Sequence, residues 1–247
     1  MNGYGKGLFG MPPVVKNLIF INILALLAYY AVGSVFNIDL NRTLGLYFPL
    51  SEQFKPIQIV THMFLHGGIW HLFFNMFALY MFGQVLEQVW GPKRFLIYYF
   101  VTGLGAALMH ESVIAFQYFH LIKEISPENL QLVINEGTAY FNQGKVFTDS
   151  AMQSLQVMLN TPTVGASGAV FGVLLAFGVL FPNTQLMLLF PPIPIKAKYF
   201  VMIYGGIELY LAITQPGASI AHAAHLGGML FGYLLIRYWR KTTNTLY

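Results

Sequence analysis

Ser167 lies in a stretch of small residues, Gly165-Ala-Ser167-Gly168, at the point where an apolar run begins. Glycine on both sides removes side-chain bulk, so a substrate backbone could approach the hydroxyl and the chain could turn sharply. A serine hydroxyl becomes a nucleophile when a base takes its proton, and a neutral histidine is the usual base. The alternative is that Gly168 and Gly172 form a helix-packing face in which Ser167 is one more small residue.

Two histidines begin another apolar segment and are candidates for the base. His225 is followed by Gly228 and Gly232, which form a second face of small residues. If this face packs against the glycines that follow Ser167, the two helices bring Ser167 and His225 within hydrogen-bond reach. His222 lies three residues earlier and could compete, but the register of His225 relative to its glycines matches that of Ser167 more closely.

A third polar group lies near the start of the second apolar segment. His71 and Asn75 are four residues apart and therefore share one helix face. Both could donate hydrogen bonds to a developing oxyanion, and removing one such donor typically costs about 2.7–4 kcal/mol. The backbone N–H of Ser167 would add a donor at a helix N-terminus. We expect His62 and His66 to bind loop backbone, since a zinc protease would need His-Glu-x-x-His or an accompanying carboxylate, and neither is present.

The composition indicates that membrane-spanning helices position these residues. Of the 247 residues, 56% are hydrophobic and 9% are charged, with a mean hydropathy of +0.60, whereas a soluble domain has about a quarter of charged residues. The absence of cysteine excludes disulfides, thiolate metal sites and a cysteine nucleophile. We therefore predict an all-α polytopic membrane protein with a single domain over 1–247. Its apolar segments are 17–36, 62–89, 94–118, 164–181, 199–214 and 222–239.

The basic residues predict the orientation. With the N-terminus in the cytoplasm, nine lysines and arginines fall on the cytoplasmic side and four on the outer side, which is the positive-inside bias. Both termini are then cytoplasmic, and Ser167 and His225 lie at outer helix ends. The stretches 167–181 and 225–239 each contain fifteen residues, which as helix cover about 22 Å of a hydrocarbon core about 30 Å thick. This predicts a recessed aqueous pocket, because irregular backbone at that depth must line a cavity or be buried in protein.

Together these motifs resemble a known family. Gly-x-Ser-Gly at the start of the fourth helix, His-x4-His-x3-Asn in the second and Ala-His-x2-Gly-x3-Gly in the sixth resemble the rhomboid intramembrane serine proteases. The resemblance implies a six-transmembrane-helix rhomboid-like bundle with a Ser-His dyad that cleaves transmembrane segments near their outer ends. Ser167 matches the nucleophile and His225 the base. His71 and Asn75 match the oxyanion side chains.

The resemblance also implies supporting roles. Phe171 matches an aromatic residue that stacks on the catalytic histidine, although family members often have tyrosine there. Glu87 resembles a structural acid at the inner end of the second helix. The family's first outer loop often carries a Trp-Arg pair, where this chain has Phe54-Lys55. The supporting residues that we expect around the dyad are Gly165, Gly168, Phe171, Gly172, Gly228 and Gly232.

The resemblance sets further expectations for partners and location. Transmembrane protein substrates and the lipid bilayer are the expected partners. No metal, cofactor or nucleic acid is expected, and the oligomeric state is open. The expected location is a bacterial inner membrane. The alternative function is that of an inactive rhomboid-like protein that binds transmembrane helices without cleavage.

Two features lie outside this pattern. Glu208, in the middle of the fifth segment, must be protonated or hydrogen-bonded to a neighbouring helix. A proton-coupled transporter is disfavoured because we find no opposed partner for Glu208 and no inverted repeat. The long outer connection, 119–162, contains a predicted helix start at Ser126-Pro127. Apolar residues over 152–159 are spaced for a helix that lies on the membrane surface or belongs to a packed insertion.

Overall fold

The structure, a computed structural model, describes residues 10–187, 192–214 and 219–242. It is the predicted all-α fold, with one short antiparallel hairpin that was not expected, β1 (Gln185–Met187) with β2 (Pro194–Lys196). The helices, in chain order, are α1 (Pro13–Phe36), α2 (Leu40–Leu44), α3 (Gln58–Thr61), α4 (Ile69–Ala78), α5 (Gln84–Trp90), α6 (Pro92–Leu121), α7 (Pro127–Asn142), α8 (Ser150–Asn160), α9 (Ser167–Leu180), α10 (Ala197–Thr214) and α11 (Ser219–Thr242).

Each predicted apolar segment contains a helix. Among the described residues, three helices are long and apolar enough to cross a membrane: Pro13–Phe36, Ile69–Trp90 and Pro92–Leu121. Helix α9 is a shorter apolar helix of 14 residues, or about 21 Å. The outward faces are apolar as well, and Trp70 and Phe74 on α4 are 71% and 60% exposed, as suits side chains in contact with lipid. Six membrane crossings remain a prediction.

The second segment is not the continuous helix predicted over 62–89. A 3₁₀ turn, His62–Phe64, is followed by irregular backbone until α4 begins at Ile69. Gly68 breaks the helix, with an extended φ of 160°. A π-helical segment, Leu79–Gly83, then joins α4 to α5. This break places His66 in a loop, whereas His71 and Asn75 lie on α4.

Close packing of α6, α9 and α11 forms the centre of the molecule. A Cβ added to Gly228 would collide with the carbonyl oxygen of Gly168, so the backbones of α11 and α9 touch there, as predicted. The prediction was wrong for Gly172 and Gly232, because the space beside them is filled first by side chains of α6. Thr102 lies 2.5 Å from the Cβ position of Gly172, and Tyr98 and Thr102 occupy the corresponding position at Gly232.

Glu87 fixes the start of the first helix. Its carboxylate is 2% exposed and accepts hydrogen bonds from the backbone N–H groups of Val14 (2.9 Å) and Val15 (2.7 Å). These groups lie in the first turn of α1, where no intrahelical acceptor exists. The predicted structural role of Glu87 therefore has a physical basis as a cap supplied by another helix.

The outer connection is a packed insertion. Ser126 caps α7 as predicted by accepting from Asn129 N–H at 3.3 Å. The apolar face of α8 packs against α7, with Met152 and Leu155 in a buried cluster with Val133. The alternative of a packed insertion is thus observed, and a position of α8 on the membrane surface stays a prediction.

Candidate active site

The chain that leads into Ser167 is held by two other segments. Thr163 pairs with Leu46 of the first outer loop through two backbone hydrogen bonds of 2.9 and 2.8 Å. Gly165 N–H then donates to the carbonyl oxygen of His62 at 2.9 Å. Helix α9 begins at Ser167 itself, so the first-turn N–H groups, including that of Ser167, have no intrahelical acceptor.

His225 on α11 reaches the serine hydroxyl. Its Nε2 lies 3.0 Å from Ser167 Oγ, which is the geometry required of a nucleophile and its base. Both side chains are partly buried. His222, the competing candidate, instead directs its Nδ1 toward Glu208 at 2.6 Å. The pairing expected from the glycine spacing is therefore present in the structure.

The imidazole of His71 faces a small gap beside Ser167. Gly67 N–H donates to His71 Nδ1 at 3.3 Å, so the neutral ring carries its proton on Nε2 and can donate from there. A Cβ built on Gly165 would lie 3.2 Å from His71 Nε2 and 3.6 Å from Ser167 Oγ. Gly165 has φ +139°, a conformation that side-chain-bearing residues rarely adopt. The backbone at Gly165 thus leaves open the space between donor and hydroxyl.

Asn75 lies one turn further along α4. Its side chain is 6% exposed and its Nδ2 donates to the carbonyl oxygen of His71 at 2.8 Å. An amide group has two N–H donors, so one remains after this hydrogen bond. In this arrangement Asn75 holds the first turn of α4, which carries His71.

A cleft opens beside Ser167 toward α6. Its empty volume, including the open mouth, is about 370 Å³. The lining combines small side chains with a few polar groups: Leu46, His62, Met63, Gly103, Ala106, Ala107, His110, Thr163, Val164, Gly165, Ser167, Gly168, Ala169 and Ala224. The recess predicted from the short helices therefore has a counterpart at the N-terminus of α9.

Comparison with known proteins gives a consistent family assignment. A family described as "Eukaryotic integral membrane protein (DUF1751)" matches residues 18–246. Rhomboid protein 1, mitochondrial, of Saccharomyces cerevisiae is 28% identical over 191 residues, 77% of this chain and 44% of that protein. RHOMBOID-like protein 12, mitochondrial, of Arabidopsis thaliana is 30% identical over 69% of this chain and 42% of its own length. The chain belongs to the rhomboid family.

One bacterial relative is named as a protease. Rhomboid protease AarA of Providencia stuartii is 27% identical over 70% of this chain and 52% of its own length. The chain thus spans about half the length of the curated relatives it matches. This rhomboid is a multi-pass integral membrane protein in a lipid bilayer. The expected bacterial inner membrane gains no support, since relatives are named for mitochondria as well.

The aromatic position of the rhomboid motif is occupied as the resemblance implies. Phe171 stacks on the His225 imidazole, with ring centroids 4.1 Å apart and an interplanar angle of 6°. Phe171 lies one turn after Ser167 on α9, so the same helix presents the hydroxyl and the flat surface that orients the imidazole. The missing tyrosine hydroxyl does not prevent the stacking.

The other two histidines of the second segment behave differently. His62 Nδ1 lies 2.9 Å from the carbonyl oxygen of Gln58, which confirms the expected contact with loop backbone. The same expectation stays a prediction for His66, which is 1% exposed. Its ring packs edge-on against His71, with the ring centroids 5.0 Å apart. The expected Trp-Arg position of the first outer loop is occupied by Phe54-Lys55, and the Lys55 side chain is exposed. The buried Gln58 stabilises this loop by accepting a hydrogen bond from Lys55 N–H and donating one to the carbonyl oxygen of Gln53.

Sequence reasoning missed a connection to the fifth segment. Glu208 Oε2 lies 2.9 Å from His225 Nδ1 and 2.6 Å from His222 Nδ1. The opposed partner that we did not find in the sequence is therefore this histidine pair. The two side chains lie at matching depths in the structure, because Glu208 lies six residues before the end of α10 and His225 six residues after the start of α11.

A second omission is His110 on α6. It lines the cleft, is 3% exposed, and its Nε2 lies 2.6 Å from Thr163 Oγ1. A lone histidine within an apolar segment was the available signal. His110 thereby joins α6 to the backbone segment that carries Ser167.

Proposed function

We propose that this rhomboid is an intramembrane serine endopeptidase that cleaves transmembrane segments of membrane protein substrates near the outer membrane face. The observation that carries the proposal is the 3.0 Å approach of His225 Nε2 to Ser167 Oγ. The cleft at the N-terminus of α9 supports it by leaving the hydroxyl accessible. No cofactor is needed for this chemistry.

In the proposed mechanism His225 acts as base and then as acid. Nε2 takes the Ser167 proton as Oγ bonds to the scissile carbonyl carbon. The imidazolium then gives that proton to the leaving amine as the C–N bond breaks, which leaves an acyl ester on Ser167. A water molecule, activated by the same nitrogen, hydrolyses the ester and restores the hydroxyl.

The oxyanion is held in the gap that Gly165 leaves open. Two donors are proposed for it. The first is His71 Nε2–H, on a ring held by the hydrogen bond from Gly67 N–H. The second is the backbone N–H of Ser167 at the start of α9. The second amide proton of Asn75 is the further donor assigned by the rhomboid motif. Fixed donors of this kind stabilise the developing charge because they require little reorganisation during reaction.

The substrate is a membrane helix that must open locally. A helical peptide bond is shielded by its neighbours, so cleavage requires an extended stretch at the cleft. Residues that weaken helices, such as glycine and proline, should therefore favour cleavage when they lie near the outer boundary. The positive-inside distribution supports an orientation in which the cleft lies near that boundary and both termini are cytoplasmic.

The test uses the full chain in liposomes with a model type I transmembrane substrate and a fluorophosphonate probe. Wild type should cleave the substrate and be labelled at Ser167. Ser167→Ala and His225→Ala should do neither, whereas Ser112→Ala, on the exposed face of α6, should behave as wild type. Cleavage by Ser167→Ala at the wild-type rate refutes the proposal, as does loss of cleavage on addition of a chelator.

The same experiment separates the alternative function. A protein that binds transmembrane helices without cutting them would retain the substrate in a pull-down but show neither cleavage nor probe labelling. Either readout from wild type, dependent on Ser167, excludes that function.

A further inference from the structure

We propose that Glu208 is a positioning residue for His225, so that Glu208, His225 and Ser167 act as a hydrogen-bonded triad. This inference rests on the proposed protease function and deepens it. The carboxylate Oε2 lies 2.9 Å from His225 Nδ1, and the opposite ring nitrogen, Nε2, lies 3.0 Å from Ser167 Oγ. One imidazole therefore connects the acid to the hydroxyl through its two nitrogens.

The carboxylate selects the tautomer of the base. An ionised glutamate only accepts hydrogen bonds, so its neighbour Nδ1 must carry a proton. A neutral His225 then has an unprotonated Nε2, the atom that must accept the Ser167 proton. Without Glu208, the ring could place its proton on Nε2 and would be unable to act as the base.

The position of Glu208 in its helix is hard to explain by packing. Helix α10 buries few of its described residues, namely Ala197, Val201 and Glu208, and it exposes large apolar side chains such as Met202 and Tyr210. Turning a carboxyl group away from water is costly unless it is hydrogen-bonded and paired. Here the pairing is with the histidine of the dyad.

His222 has a supporting place in this arrangement. Its Nδ1 lies 2.6 Å from the same Oε2, so a second N–H holds the carboxylate from the preceding turn of α11. The polar and titratable groups around His225 are Glu208 from α10, His222 from its own helix, Ser167 from α9 and His71 from α4. Glu208 is the acid among them and supplies the charge opposite the imidazolium that forms during attack.

The proton balance requires no further reactant. The Ser167 proton moves to His225 Nε2, while the Nδ1 proton stays on the ring and remains hydrogen-bonded to Glu208. The carboxylate is not protonated at any step. It stabilises the doubly protonated ring until Nε2 gives its proton to the leaving amine.

The test compares Glu208→Gln and Glu208→Asp with wild type in liposomes, with EDTA present throughout. Glu208→Gln should lower kcat by about 10²-fold or more and leave KM within about 2-fold, because substrate contacts are unchanged. Fluorophosphonate labelling of Ser167 should slow in parallel. Glu208→Asp, which keeps the charge on a shorter side chain, should recover part of the loss.

The matched control is Glu124→Gln, which removes the carboxylate of another Glu–His pair, Glu124 with His120 at 3.3 Å, in the exposed outer connection. It should leave kcat unchanged. His222→Ala should lower kcat less than Glu208→Gln, because His225 keeps its own hydrogen bond to the carboxylate.

The outcomes separate this inference from the function on which it rests. Failure of wild type to cleave refutes the protease, whereas wild-type kcat in Glu208→Gln, with Ser167→Ala inactive, overturns the triad alone. If EDTA abolishes wild-type activity and zinc restores it, the three groups hold a metal and the triad is wrong. Should Glu208→Gln fail to fold, wild-type kcat in a folded Glu208→Ala protein, which also lacks the carboxylate, overturns the proposal.

Discussion

Replacing Gly165 with alanine should disable the proposed enzyme by filling the space meant for the oxyanion. The added Cβ would lie 3.0 Å from His71 Cε1 and 3.2 Å from His71 Nε2. An oxyanion bound by that nitrogen would lie at about 2.9 Å from it. The methyl group and the oxyanion therefore compete for one place, and the methyl group also lies 3.6 Å from Ser167 Oγ.

The expected magnitude has two parts. Loss of an oxyanion donor costs about 2.7–4 kcal/mol, or roughly 10²–10³-fold in kcat. Alanine at φ +139° adds about 1–3 kcal/mol of backbone strain, which lowers the stability of the fold and not the rate directly. Gly165→Ala should thus show a lower thermal midpoint and a kcat decrease that exceeds any change in KM.

The assay is cleavage of the model substrate in liposomes, with thermal unfolding followed on the same preparations. Gly206→Ala is the matched control, because nothing lies within 4 Å of a Cβ at that position on α10. His71→Ala alone and combined with Gly165→Ala completes a double-mutant cycle. Wild-type kcat in folded Gly165→Ala, or fully additive losses in the cycle, would refute the assignment of this gap.

Substitutions at three further positions test the surrounding structure. Gly228→Ala should push α11 from the Gly168 carbonyl at a cost of about 1–3 kcal/mol and reduce kcat by separating the dyad; an unchanged rate would show that this contact does not set the distance. Phe171→Ala removes a stacking contact worth about 0.5–1.5 kcal/mol and should lower kcat roughly 2- to 10-fold, whereas Phe171→Tyr should retain it; equal rates in both would exclude a role for stacking. Glu87→Gln weakens hydrogen bonds worth about 1.5–3 kcal/mol each, so the thermal midpoint should fall while kcat stays constant; a selective loss of kcat would contradict a purely structural cap.

Local spacing was enough to predict the central contact. Gly168 follows Ser167 directly, and Gly228 follows His225 by three residues. Backbone contact between the two glycines therefore brings Ser167 and His225 to the same depth along their helices, within hydrogen-bond distance. The stacking of Phe171 on the imidazole, by contrast, was expected only from the resemblance to the rhomboid family. These predictions depend on residues within one or two turns of the site.

Contacts between distant segments were not predictable in the same way. Whether Gly172 accommodates α11 or α6 depends on how three helices pack, and Thr102 of α6 occupies that space. The link from Glu208 to the dyad depends on the relative depth of α10 and α11. Sequence periodicity describes one helix at a time, so neither the rotation of a third helix nor the depth of a neighbour follows from it.

The order of the helices along the chain has a consequence for biosynthesis. Ser167 opens α9, whereas His225 belongs to α11, 58 residues later. As the chain leaves the ribosome and enters the bilayer, the nucleophile is therefore inserted well before its base. Proteolytic competence would arise only after α11 has docked, so partly inserted copies could not cut neighbouring membrane proteins that are still being synthesised.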